Sequence, residues 1–306
     1  MAQASLIKEK VDTMRGMEAS PPALQLEITN ACNGKCIICP NPQQTRPRGM
    51  MSFKLWCKLL HQAVELNITL LHPFWFGEPT LVKDFPKYLD AIGDIHPNAM
   101  TQLFSNCSNL TDEIGEAILR NNIDLLVVSF EGGTKQTYES HRPGLKWDKT
   151  VINVHNFVRK RNEAGMRIPE VFVQSASTYQ TRAEFELLKA EFSDCNQVNL
   201  TALQTMGGTI DESIDVPKVR KNPSWPCMRL WSEIVVAWDG RVVTCCDDWD
   251  TKQVVGNANE QTLLEIWKGD KLRAYRDASI NNSLDGLPTC STCWYEWIGV
   301  PEWWKV

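Results

Sequence analysis

From residue 24 onward, short apolar runs and amphipathic stretches alternate so regularly that few architectures remain open. In "LQLEI", residues 24–28, Leu24, Leu26 and Ile28 alternate with polar residues, the period of a half-buried strand. Ser52 then caps a helix in which Leu55, Trp56, Leu59, Leu60, Ala63 and Val64 recur at helical spacing, and an apolar run near 69–76 reads as the next strand. The rhythm continues with helix 84–93, strand 100–104, helix 111–121, strand 124–130, helix 147–163 ended by Gly165, strand 170–176, helix 182–193 and strand 197–203. Parallel strands need long crossovers, so this order predicts an α/β fold of about six strands in a parallel sheet with helical connections. In such sheets the chemistry gathers at the carboxyl ends of the strands.

The rhythm breaks between 206 and 226, where Gly, Pro and charged residues dominate. A second unit follows. Two β-rich runs flank Asp239-Gly240 in "EIVVAWDGRVVTCC", a hairpin signal, and a helix is expected near 261–277. The tail closes with Trp294, Trp297, Trp303 and Trp304, read as packing for the second unit. The expected organisation is a polar lead-in over 1–20 ended by "SPPA", a core over 21–215 and a smaller domain over 216–306. A chain of 306 residues with 43% hydrophobic residues buries ample core for this. Its net charge of −5 argues against nucleic-acid binding by phosphate neutralisation and suits a neutral or cationic small molecule or a peptide. No apolar run reaches the ~20 residues a membrane helix needs, and the start lacks a signal-type core, so a cytoplasmic protein is expected.

Eleven cysteines in a reducing compartment read as metal ligands and packed or reactive thiols rather than disulfides. Seven fall into two groups: Cys32, Cys36 and Cys39, and Cys227, Cys245, Cys290 and Cys293. The first group sits where the first strand ends. A pair would suggest a disulfide and four thiolates would close a zinc site. Three leave one position of a four-coordinate centre open. The plainer alternatives are a zinc knuckle or packed thiols.

The C-x3-C-x2-C spacing resembles the signature of the radical S-adenosylmethionine (SAM) superfamily. There, three thiolates hold a [4Fe-4S] cluster whose fourth iron binds the amino and carboxylate groups of SAM. Further segments resemble the family in the order it requires. "FWFGEPTL" resembles its glycine-glutamate-proline segment, which implies that Gly77, Glu78 and Pro79 present backbone carbonyls and a carboxylate to the amino group of SAM. "LFSNCSNL" resembles the third-strand segment, with Ser105 and Asn106 reaching SAM; an ordinary turn is the plainer reading. "VVSFEGG" with "YESHRPG" resembles the fourth-strand segment, with Ser129 and Arg142 as contacts to SAM or substrate, although Arg142 could equally form a salt bridge. Three positions depart from the family pattern: Ile38 replaces the usual aromatic, leaving backbone and an aliphatic side chain under adenine, while Glu131 and Cys107 replace common aspartate and glycine.

The second cysteine group resembles the C-terminal module called SPASM in its shortened twitch form, whose four thiolates fill every iron of an auxiliary [4Fe-4S] cluster. A structural four-cysteine zinc site fits the same spacings. Of the remaining thiols, Cys57 and Cys195 read as packed or without special role. Cys246 adjoins a predicted ligand and is expected near the barrel mouth, where its weak S–H bond could return hydrogen to a substrate radical; a spare thiol beside the cluster is the plainer reading. Asp247, Asp248 and Asp250 beside it read as a solvated loop.

The resemblance implies a partial (β/α)6 TIM-type barrel with a small α+β domain, two [4Fe-4S] clusters, SAM, and an external flavodoxin- or ferredoxin-type electron donor. It implies an enzyme that cleaves SAM to a 5′-deoxyadenosyl radical and takes hydrogen from a C–H bond of a sugar, aminocyclitol or peptide. Oxidation through the auxiliary cluster, with Glu131 as base, is favoured over epimerisation through Cys246, because four spaced cysteines weigh more than one spare thiol. The first signature cysteine, at 32, leaves little room for a leader-peptide-binding domain, which favours a small molecule. A scaffold protein that binds metal without catalysis is the alternative of another class.

Overall fold

The computed structural model describes residues 2–121, 123–203, 206–207, 209–210 and 226–293. The expected boundary near 215 and the four tail tryptophans lie outside the described residues. Nine strands form one sheet: β1 (Ala23–Leu26), β2 (Leu70–His72), β3 (Met100–Ser105), β4 (Leu125–Ser129), β5 (Glu170–Ala176), β6 (Gln197–Thr201), β7 (Glu233–Val236), β8 (Arg241–Val243) and β9 (Val254–Asn257). Their spatial order is β6-β5-β4-β3-β2-β1-β7-β8-β9. The first six pair in parallel in chain order, and crossovers of helix α2 (Phe53–Glu65), α3 (Phe85–Ile95), α4 (Asp112–Arg120), α5 (Lys135–His141), α6 (Trp147–Glu163), α7 (Tyr179–Ala183) and α8 (Phe185–Glu191) join them. Helix α1 (Ala2–Gly16) precedes the sheet; α9 (Arg229–Ser232), α10 (Leu263–Trp267) and α11 (Asp270–Ile280) belong to the C-terminal part.

Strand β7 pairs in parallel with β1, Leu24 opposite Ile234, so the hairpin continues the barrel sheet instead of forming a separate one. The turn at Asp239-Gly240 then reverses the chain, and Gly240 adopts φ +91°, a conformation that glycine tolerates.

Some elements differ from expectation. The run near 69–76 yields only a three-residue strand, because Pro73 cannot donate to a ladder. The helix expected at 182–193 is two short helices meeting at Glu184, the first opened by a capping box between Thr178 and Thr181. The helix expected at 261–277 breaks at Gly269, a poor helix former that sits as the extended N-cap of α11. Helix α5 had no counterpart in the sequence reading.

Burial alternates along the strands in a way that defines two faces. Leu24, Leu26, Leu103, Leu126, Val128, Val171 and Val173 are at most 1% exposed under the helices. Their neighbours Gln102, Phe104, Ser129, Phe172 and Gln174 stay half-buried on the inner face. A closed TIM barrel fills its interior with layered side chains. Here several inner-face side chains keep partial exposure.

At the carboxyl end of β1, Arg46 forks onto both carboxylate oxygens of Glu27 at 2.5 Å, with side chains 2% and 0% exposed. Arg46 Nε also donates to the carbonyl of Trp249 at 3.1 Å, tying the core to the C-terminal part. Removing one partner of such a pair strands a buried charge. Glu27→Ala is expected to cost about 3–5 kcal/mol of unfolding free energy, measured by denaturant titration, and Glu27→Leu with Arg46→Met is expected to recover most of it.

Candidate active site

The cysteine loop leaves the carboxyl end of β1 without regular structure, so other segments must fix its backbone. The end of α5 does so: the N–H of Ile37 donates to His141 O at 3.0 Å and that of Lys35 to Pro143 O at 2.8 Å. Gly144, at φ +96°, packs so closely that a Cβ there would stand 2.6 Å from Asn33 O. The amino end of α5 is held in turn by the Glu184 carboxylate, which accepts from the N–H groups of Gly133 at 2.8 Å and Thr134 at 3.1 Å and from Thr137 Oγ1 at 2.5 Å. Sequence reasoning missed Glu184, whose partners lie about 50 residues upstream and carry no local pattern.

Burial pushes the Cys32 thiol up, Cys36 up to about 11 and Cys39 up to about 12. Cys36 and Cys32 add to the rise at Cys39, and Arg142 opposes it. The thiols therefore sit close enough to resist joint ionisation, and a bound cationic centre would relieve that cost. The N–H of Gly34 already donates to Cys32 Sγ at 3.4 Å. Among the described residues no group of three such side chains stands ready to hold a single metal ion. A four-iron cluster takes one thiolate per iron, so its ligands need not converge on one point.

The Gly77-Glu78-Pro79 turn lies directly against this loop. A Cβ at Gly77 would stand 1.9 Å from Thr29 O, and the N–H of Glu78 donates to Ala31 O at 2.8 Å. The Glu78 carboxylate departs from expectation. It is buried and accepts from Thr80 N–H at 3.2 Å, Thr80 Oγ1 at 2.6 Å, Ser105 Oγ at 2.7 Å and Asn106 N–H at 2.7 Å. It fastens the turn to the end of β3. Asn106 Nδ2 then donates to Asn33 Oδ1 at 2.9 Å, so Glu78, Ser105, Asn106 and the cysteine loop form one hydrogen-bonded unit. Ile38 is half-buried beside Cys39, and Ser129 is half-buried on the inner face at the end of β4.

The buried guanidinium of Arg142 pairs through Nε with Glu131 Oε2 and faces the Cys36 thiol. Glu131 was expected as a base. Its engagement by Arg142 makes it the partner that aims this cation at the cysteine loop.

The second cysteine group assembles at the opposite end of the sheet. Strand β8 runs antiparallel to β7, Val243 opposite Val235, so Cys245 returns to the amino end of the parallel strands. Burial pushes its thiol well up, with Cys290 adding to the rise, and Cys290 goes up to about 11 with Cys227 contributing. Three of the four thiols thus interact. Cys293 follows Cys290 in the same turn, its Sγ 4.0 Å from Asp247 Oδ2. Gln253 Nε2 donates to Cys290 Sγ at 3.5 Å. This set of four thiols, Cys245 buried and the others half-buried, suits a closed cluster with no position left for a ligand.

Cys246 does not face the mouth. The hairpin reversal carries it to the lumen floor, where its Sγ meets Arg229 Nη1 and its carbonyl accepts from Trp75 Nε1 at 2.8 Å. The three aspartates are not a solvated loop either. Asp250 clasps Thr45 N–H at 2.8 Å and Thr45 Oγ1 at 2.7 Å, and Asp248 accepts from Lys252 and Gln253 N–H and from Thr289 Oγ1.

Two family models match: the radical SAM superfamily over residues 26–175, and the SPASM iron-sulfur cluster-binding domain over residues 227–294. The chain carries a radical SAM domain followed by a SPASM iron-sulfur cluster-binding domain. It is similar to the S-adenosyl-L-methionine-dependent 2-deoxy-scyllo-inosamine dehydrogenase of Niallia circulans, 22% identical over 88% of this chain and 91% of that one. It is also similar to the PqqA peptide cyclase of Gluconobacter oxydans, 26% identical over 81% of this chain and 77% of that one. Among solved structures, BtrN in complex with AdoMet and 2-DOIA matches with TM-score 0.62 and 21% identity, covering 89% of this chain and 92% of that one. Streptococcus suis SuiB bound to precursor peptide SuiA matches with TM-score 0.69 and 15% identity, covering 87% and 69%. A radical SAM domain followed by a SPASM domain carries SAM and two [4Fe-4S] clusters as cofactors.

Proposed function

We propose that this radical SAM enzyme oxidises a C–H bond of a small polyhydroxylated substrate held in the barrel lumen. The observation that supports this reading is that the two cysteine sets lie toward opposite ends of the parallel strands, with β1 joining β2 and β7 between them. Cys32, Cys36 and Cys39 would hold the SAM-binding cluster, and Cys227, Cys245, Cys290 and Cys293 a single auxiliary cluster of twitch type. With these groups bound, the cluster on Cys32, Cys36 and Cys39 would supply reductive cleavage of SAM, with the electron from a flavodoxin- or ferredoxin-type donor, and so the radical chemistry that takes the substrate hydrogen. The residues of this chain supply position and exclude water. Gly77, Pro79, Ser105, Asn106, Ser129 and Ile38 surround the place where SAM would lie, Glu78 locks that surround, and Arg142 offers a cation toward Cys36. The dehydrogenase of Niallia circulans, matched over 91% of its length, supports a small aminocyclitol over a peptide.

A second reading, epimerisation, is supported by the Cys246 thiol, which interacts with the Glu233 carboxylate. A single assay separates the readings. Reconstituted enzyme with SAM and dithionite is expected to release 5′-deoxyadenosine and to convert substrate to a product two mass units lighter. A product of unchanged mass carrying solvent deuterium, abolished by Cys246→Ala, would establish epimerisation, and failure to cleave SAM with any candidate would leave a metal-binding scaffold. Among the described residues no helix is long and apolar enough to cross a membrane.

A further inference from the structure

We infer that the buried carboxylate of Asp247 sets the reduction potential of the auxiliary cluster, holding it low so that an electron taken from the substrate is passed on and not stored. The inference rests on the reading of Cys227, Cys245, Cys290 and Cys293 as the ligands of that cluster and names what governs its electron.

Three acidic residues follow Cys246 within four positions, and the fold uses two of them as staples. Asp250 is clasped by the N–H and Oγ1 of Thr45, and Asp248 by the N–H groups of Lys252 at 2.9 Å and Gln253 at 2.7 Å and by Thr289 Oγ1 at 2.9 Å. Asp247 is held differently. It is 2% exposed, yet its Oδ1 has no hydrogen-bond partner among the described residues. Its Oδ2 lies 4.0 Å from Cys293 Sγ and 3.8 Å from Arg229 Nε. A buried carboxylate oxygen left without a donor is costly, and where a native fold keeps one, a redox role is among the few explanations.

Position gives this carboxylate an electrostatic role. Burial is the main cause that raises the Cys245, Cys227 and Cys290 thiols, and Asp247 adds to the rise at each. One carboxylate thus acts on three thiols and stands against the fourth. Opposing charges are present as well: Arg229 works against the rise at Cys245 and Cys227, and Lys10 of α1 against that at Cys227. Lys10 is only half-buried, so water screens it more than Asp247. At Cys290 the carboxylate of Asp248 adds to that of Asp247. Reduction brings one more negative charge to a cluster already bound by four thiolates, and a fixed carboxylate in a poorly screened site opposes it. Net charge is one of the quantities that set the potential of such clusters. This bears on the direction of electron flow. On oxidation the substrate radical would give up one electron to the auxiliary cluster and one proton to water, and the electron would return to the oxidised form of the flavodoxin- or ferredoxin-type carrier that supplied the first. A cluster that is hard to reduce favours that return.

The test is a redox titration of the reconstituted holoenzyme followed by electron paramagnetic resonance, reading the signal that does not respond to SAM. Asp247→Asn, which keeps shape and removes charge, is expected to raise the ratio of reduced to oxidised cluster at fixed potential about tenfold, a shift of about +59 mV for one electron. Asp247→Ser, a smaller neutral replacement, carries the same expectation and stands in if Asp247→Asn does not load. Asp247→Glu, which restores the charge, is expected to stay within about threefold of the wild type in that ratio. The SAM-responsive signal of the same samples should keep its midpoint, and about eight irons per chain verify loading. An unchanged midpoint in the neutral variants, or an equal rise in Asp247→Glu, would overturn the role of Asp247. A wild type that loads only about four irons and shows no SAM-insensitive signal would instead remove the auxiliary-cluster reading beneath it.

Discussion

Cys36→Ala, reconstituted anaerobically with iron and sulfide, is expected to retain about four of the about eight irons of two cubane clusters and to lose more than ~100-fold in SAM cleavage, the upper end for loss of a mere outer-sphere partner. The reasoning starts from position. Cys36 is the middle thiol of its loop, flanked by hydrogen bonds from Lys35 and Ile37 to the end of α5, and it faces the Arg142 guanidinium. Its loss removes a ligand without freeing the loop, so the rest of the protein should fold and the auxiliary set should still load. Electron paramagnetic resonance of the reduced protein should then show one cluster signal that no longer responds to SAM. Cys195→Ala, outside both sets, is the control and should keep full iron content. A variant that retains SAM-responsive resonance would remove Cys36 from the ligand set.

The second large effect concerns packing. Gly77→Ala would place a Cβ 1.9 Å from Thr29 O, 2.7 Å from Thr29 C and 2.9 Å from Ala31 O. All three are backbone atoms and cannot rotate aside. Either the turn or the end of β1 must move, and both carry the cysteine loop. A loss of about 3 kcal/mol or more is expected in denaturant unfolding, together with loss of the SAM-induced absorption change. Gly16→Ala, with nothing within 4 Å of the added carbon, is the matched control and should change stability by less than about 1 kcal/mol. Equal behaviour of the two variants would show that the close approach at Gly77 has no consequence.

How far the sequence revealed this arrangement depends on the range of the interaction involved. Helix α6 and strand β5 match their expected limits, because seventeen and seven residues of clean periodicity outweigh local irregularity. Both cysteine sets were legible because spacing is local information. Helix α5 escaped because "KQTYESH" carries no apolar stripe; it is held by Glu184 and by the loop it supports. The position of Cys246 escaped for a related reason. The sequence shows that a hairpin turns, but which end of the barrel the returning strand reaches is set by the pairing of β7 with β1. Likewise, the charge of Glu78 suggested a ligand contact, whereas only the folded chain shows four donors already converging on it.

The shared strand has a consequence for substrate size. β1 has four residues and so spans roughly 13 Å, at about 3.3 Å per residue. It is hydrogen-bonded on both edges, which makes it a stiff ruler rather than a hinge. A guest reaching from the floor to the cysteine loop must fit that fixed gauge, which admits a single six-membered ring with its substituents and rules out a folded domain. Selection by length would thus be set before any side chain touches the guest.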